Sequence, residues 1–152
     1  MKKSTKRLLF AVGVSAATIY VYNKFVESTA TQKNLLSKDN GEFYPWKNGN
    51  IFYTKRGSGS PLLLIHDTDA SASSAEWYKV IHRLEKNHTV YTIDLLGCGR
   101  SDKPALEYTN YLYVQMITSF IKDVIGEKTS VVATNMSTSF VTMANHIDDT
   151  LF

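Results

Sequence analysis

Leu62-Leu63-Leu64-Ile65 is an unbroken apolar run that follows a turn-rich stretch, Arg56-Gly57-Ser58-Gly59-Ser60-Pro61. A strand alternates its side chains between two faces, so a run without a polar position is apolar on both. Such a strand must be covered on both sides, the situation of a parallel strand inside an α/β sheet.

The flanking segments fit that frame. Phe43–Trp46 and Ile51–Thr54 are short aromatic or β-branched runs joined by Lys47-Asn48-Gly49-Asn50, and Asn48-Gly49 is a strong hairpin signal. Ser73-x-x-Glu76 reads as a capping box that opens a helix. Trp77, Ile81 and Leu84 then fall at helical spacing and are expected to face the sheet. Thr89–Ile93 reads as the next strand. Residues 111–125 carry a helical stripe (Tyr113, Met116, Ile117, Phe120, Ile121, Val124) closed by Gly126. Ser130–Thr134 reads as a further strand and Ser137–His146 as a further helix. A hairpin followed by alternating strand and helix predicts an α/β sheet, antiparallel at its start and then parallel, over residues 42–152.

The chain's 152 residues suit one domain, and an apolar share of 43% with 20% charged residues argues against disorder throughout. The net charge of +3 is unevenly spread. Residues 1–38 hold seven Lys or Arg against one acid, Glu27, which leaves 39–152 at a net −3. The basic excess is therefore terminal, and there is no basic stripe with interleaved aromatics that would suit nucleic acid. Cys98 is the only cysteine, so no intrachain disulfide forms, and no Cys/His zinc pattern is present. No metal or cofactor is implied, since no phosphate loop or dinucleotide glycine pattern follows a strand.

At the N-terminus, Lys2, Lys3, Lys6 and Arg7 abut Leu8–Tyr22, which has no charged residue. With Phe25-Val26 as a weak extension, residues 8–26 approach the roughly 17–20 apolar residues of a spanning helix. One reading is an uncleaved membrane anchor within residues 1–26, with the basic cluster in the cytoplasm and the folded domain outside. The other is a cleaved signal segment, with small residues at Ser28-Thr29-Ala30 and secretion of the remainder. Residues 27–41 read as a polar linker.

Three stretches together resemble the α/β-hydrolase family. The first is Leu62-Leu63-Leu64-Ile65-His66-Asp67, with Trp77 downstream, similar to the family's apolar strand ending in His-Gly. The second is Asp94-Leu95-Leu96-Gly97-Cys98-Gly99-Arg100-Ser101-Asp102-Lys103-Pro104, close to the family's Asp-x-x-Gly-x-Gly-x-Ser loop. The third, Val131-Val132-Ala133-Thr134-Asn135-Met136-Ser137-Thr138-Ser139, stands where the family has its nucleophile elbow. The resemblance covers residues 42–152 and implies the first five strands of an eight-stranded fold, that is, a truncated hydrolase sheet.

The resemblance implies Ser137 as nucleophile, with the backbone amides of Thr68 and Thr138 as oxyanion donors. The alternative for Ser137 is a helix N-cap. Both elbow glycines are replaced, and Asp67 stands in place of the family's glycine, where its charge would oppose a developing oxyanion. His66 is expected to be a hydrogen-bonded structural histidine. Asp94, Ser101 and Asp102 are expected to fix the loop whose tight turn Gly97 and Gly99 permit. The family's acid and base come after the nucleophile in sequence. His146 lies nine residues past Ser137, about 13 Å along a helix, beyond the roughly 3 Å reach of a general base.

The expectation is an α/β-hydrolase-like chain, ancestrally a serine hydrolase of ester or other acyl substrates, and weakly active or inactive as it stands. The alternative is a non-catalytic binding domain or a non-functional remnant. An apolar fifth strand at the sheet edge further implies aggregation or a second polypeptide that completes the sheet.

Overall fold

The computed structural model describes residues 3–31, 36 and 40–152; within the first helix the side chains of residues 3–4, 6–13 and 30–31 lie outside the description. The chain divides into two units, residues 1–38 and 39–152.

In the first unit, α1 (Lys3–Thr31) is one continuous helix. It continues through Glu27–Thr31, which composition assigns to the linker. Local bonds make this possible: Lys24 Nζ lies 2.8 Å from Glu27 Oε2, and Thr29 Oγ1 donates to Phe25 O at 3.0 Å. Most of the remaining linker, residues 32–35 and 37–39, lies outside the described residues. Among the described residues no helix is long and apolar enough to cross a membrane. The described part of the apolar run is diluted by Ser15, Thr18, Tyr20 and Tyr22, while the basic cluster and Leu8–Gly13 belong to the residues whose side chains are not described.

The second unit is a five-stranded sheet ordered β1-β2-β4-β3-β5. β1 (Glu42–Trp46) and β2 (Gly49–Arg56) form the expected hairpin, with Lys47 and Asn48 as its two-residue turn and Gly49 already paired with Trp46. β2 pairs antiparallel with β4 (His88–Ile93). β3 (Ser60–Ile65) lies parallel between β4 and β5 (Ser130–Ala133). The sheet is therefore antiparallel at its start and parallel afterwards.

The apolar run of β3 supplies both faces at once. Leu62 and Leu64 pack with Val90, Ile81, Trp77 and Leu84 on the side of α2 (Tyr78–Leu84). Leu63 and Ile65 enter the larger cluster on the side of α3 (Asn110–Phe120) and α4 (Met136–Ile147), with Met116, Ile117, Phe120 and Phe140. Phe120 meets Tyr44, Tyr53 and Tyr91 edge-on at centroid distances of 5.9, 5.3 and 6.4 Å, geometry that aromatic quadrupoles favour.

One helix start and one helix end differ from a simple reading. Ser73 caps a 3-10 turn (Ser74–Trp77) before α2 begins. Glu76, the acid of the expected capping box, instead accepts a bond from Thr134 Oγ1 at 2.8 Å. At its far end α3 passes into a π turn (Ile121–Ile125) that stops at Gly126, in a left-handed conformation (φ 77°). Leu151 folds back into the core, and its carbonyl accepts from Thr129 N at 2.9 Å.

Candidate functional site

The carboxyl ends of β3, β4 and β5 bring the motif residues together, and each loop there has a local cause. After β4, Asp94 is fully buried and gathers the loop around itself. Its Oδ1 accepts from Ser74 N at 2.7 Å; its Oδ2 accepts from Arg100 N at 2.8 Å and Arg100 Nε at 3.1 Å. Burial pushes its pKa up, but these donors and the Arg100 charge outweigh it and hold the carboxyl below its ordinary value. Gly99 (φ 48°) crosses so close that a Cβ there would lie 2.3 Å from Asp94 Oδ2. Ser101 Oγ donates to Asp94 O at 2.5 Å and accepts from Phe52 N at 2.8 Å. Asp102 Oδ2 accepts from Asn50 N at 2.7 Å and Asn50 Nδ2 at 3.0 Å. The 94–104 loop is thus a clasp across the sheet end, with Gly97 (φ 89°) turning under the Tyr108 ring.

After β3, His66 is fully buried. Its Nε2 accepts from Leu95 N at 2.9 Å and its Nδ1 lies 2.5 Å from Asp67 O. Both nitrogens are engaged, which fixes a neutral ring with the proton on Nδ1. Burial lowers its pKa, against the pull of the Asp67 carbonyl and nearby carboxylates. Cys98 is buried too, and burial raises its thiol pKa, which makes it a poor nucleophile.

After β5, the chain turns sharply into α4, and here the structure departs from the expectation for Ser137. Ser137 lies within the first turn of α4, fully buried, with Oγ donating to His66 O at 2.6 Å. It is neither at the tip of the turn nor open to solvent. The tip is Asn135, exposed, with φ 45° and ψ −117°, the only non-glycine residue of positive φ among the described residues. Such a conformation costs about 1–3 kcal/mol and persists only where its surroundings impose it. Thr138 is displaced in the same way: its amide donates to Asn135 O at 3.2 Å, inside the helix start. The amide that follows the tip belongs to Met136.

Asp67 links the two loops. Its Oδ1 accepts from Thr68 N at 2.8 Å and from Met136 N at 3.2 Å; its Oδ2 accepts from Asn135 Nδ2 at 3.0 Å. The Asn135 amide, then the Thr68 N–H, hold its carboxyl below the usual range. An open hollow of about 410 Å³ beside it is lined by Asp67, Asp69, Ser73, Glu76 and Asn135 among others. Among the described residues no group of His, Cys, Asp and Glu is arranged to hold a metal ion.

A sheet that runs from antiparallel to parallel, with one strained strand-to-helix turn beside a His-ended strand and an Asp-anchored glycine loop, decides the fold. The second unit has the α/β-hydrolase fold. No family model matches the chain. It is 36% identical over 86 residues to a 2-hydroxy-6-oxo-6-(2'-aminophenyl)hexa-2,4-dienoic acid hydrolase of Metapseudomonas resinovorans, covering 55% of this chain and 30% of that one. A solved serine hydrolase involved in carbazole degradation superposes with a TM-score of 0.69 at 29% identity, over 74% of this chain and 44% of that one. A membrane phospholipase A superposes with a TM-score of 0.67 at 22% identity, over 98% of this chain and 49% of that one. The chain spans less than half the length of each of these hydrolase-fold relatives.

With the hydrolase fold in place, the elbow aligns two residues earlier than the serine suggests. Ala133-Thr134-Asn135-Met136-Ser137 takes the Gly-x-nucleophile-x-Gly positions: Ala133 and Ser137 are the small flanking residues, and Asn135 is the tip. The signal was present in the small residues two before and two after Asn135, a residue type that tolerates left-handed backbone.

Proposed function

We propose that this hydrolase-like chain does not itself carry out serine-type acyl transfer. One observation supports this above the others: the exposed tip of the elbow is the carboxamide of Asn135, and the nearby hydroxyl of Ser137 is buried on a backbone carbonyl. A carboxamide has no ionisable proton near neutrality and is a poor nucleophile, so no covalent acyl intermediate forms there. His66 has both nitrogens occupied. His146 sits near the far end of α4, about 16 Å along the helix from the tip. The protein descends, on this reading, from a serine hydrolase of esters or other acyl compounds, and the elbow it retains serves structure or binding.

A fluorophosphonate probe tests this on the purified chain, its S137A variant and an active serine hydrolase as control. The expected result is labelling of the control alone. Labelling of the chain that disappears in S137A would overturn the proposal.

Two further parts belong to the same reading. The first unit serves as a membrane-targeting segment, supported by the basic cluster ahead of the apolar run; the domain then lies outside the cytoplasm, or is secreted if the segment is cleaved. Flotation of the full chain with anionic vesicles, lost when residues 1–26 are removed, is the expected outcome; equal flotation of both forms would contradict it. The apolar β5 edge supports a second polypeptide as a partner that extends the sheet.

A further inference from the structure

Thr68 N–H and Met136 N–H converge on one oxygen, Asp67 Oδ1, while Asn135 Nδ2 holds the other. In an acyl-transferring hydrolase the amide after the elbow tip and one from the loop after the third strand are the donors left open for a developing oxyanion. Here a full negative charge of the chain itself already lies where their N–H bonds cross.

We propose that Asp67 is a built-in plug of the oxyanion pocket, an autoinhibitory contact that closes the elbow to carbonyl and carboxylate ligands whatever residue stands at its tip. The proposal rests on the placing of the elbow at Asn135 and adds a second, separate lock. Hydrogen bonds to a charged acceptor are about twice as strong as those to a neutral one. A neutral ester oxygen therefore cannot displace the carboxylate from two backbone amides. A small carboxylate exchanges like for like, but it competes with an acceptor tethered at an effective concentration of about millimolar or more. Asp69 and Glu76, on the rim of the same hollow, add like charge against any incoming anion.

Amide NMR of the full chain tests this, with Met136 as reporter, because it lies 69 positions from Asp67 and senses it only through space. The charged or titratable groups around Asp67 are Asp69 and Glu76 on the rim, with His66, Cys98 and Asp94 behind. In the wild type the Met136 amide is expected to shift on acidification, in step with Asp67 protonation and at a lower pH than an ordinary carboxylate, and D67N is expected to abolish that shift. Acetate at neutral pH should leave the wild-type amide unmoved and shift it saturably in D67A. A wild-type Met136 amide that ignores acidification, a titration that survives in D67N, or identical acetate responses in wild type and D67A would each overturn the plug. The wild-type titration needs no substitution, so it stands even if a variant fails to fold. These outcomes are independent of fluorophosphonate labelling, so the plug and the proposed lack of serine chemistry can fail separately.

Discussion

Ser137 and Asn135 show how two neighbouring polar residues are given opposite roles by backbone geometry. The Ser137 hydroxyl satisfies His66 O inside the core, so S137A leaves a buried carbonyl without its donor. The expected cost is about 1–3 kcal/mol, read as a lower midpoint in urea, with no change in probe labelling; an unchanged midpoint would contradict this role. Asp94 is the other residue on which the site depends. It is fully buried, and its Arg100 partner is mostly buried, with 14% of its side chain exposed. Removing one partner of such a pair costs about 3–5 kcal/mol, the loss expected of D94A. The sign of the pH effect follows from its lowered folded pKa. Asp94's contribution is fully present above its unfolded value of about 4 and is lost as pH falls through the lower folded value. Thermal melts between neutrality and about pH 2 should therefore lose less stability in D94N than in the wild type; parallel losses would count against it.

At the scale of elements, β3 is where the fold is most constrained. Leu63 is fully buried on the α3/α4 side and Leu62 nearly so on the α2 side. L63A and L62A are each expected to cost about 2–5 kcal/mol, and because they lie on opposite faces of the sheet their effects should add; a strongly non-additive double mutant would contradict two separate cores. This element was legible from sequence because an uninterrupted apolar run allows few other placements. The hairpin, α3 and the antiparallel-then-parallel order were legible for similar reasons of periodicity and turn chemistry. The elbow register was not. Without glycines to anchor it, the sequence pattern points to the hydroxyl of Ser137, while the residue that adopts the strained backbone, Asn135, carries no nucleophile to reveal it. The expectation for Thr138 carries the same shift of two, the amide after the tip being that of Met136. The Asp67 contact joins residues 69 apart through side-chain geometry, which no local pattern encodes.

Across the whole chain, the sheet of the second unit ends at β5, where Val132 is 43% exposed; Met136, Met143 and Ile147 of α4 are exposed as well. An apolar edge strand offers unpaired backbone groups to other chains. The purified chain is expected to associate in a concentration-dependent way in light scattering. V132K should lower that association with little loss of melting temperature. A monomeric chain at all concentrations would show that the edge is silent, and the case for a sheet-completing partner would fall with it.

The central claim is that Asn135, not Ser137, stands at the open tip of the elbow. Thiol accessibility measures this directly. In a C98A background, N135C and S137C are treated with a maleimide under native conditions and again in denaturant. The account predicts rapid native labelling of N135C and labelling of S137C only on unfolding. Rapid native labelling of S137C, with N135C protected, would contradict it.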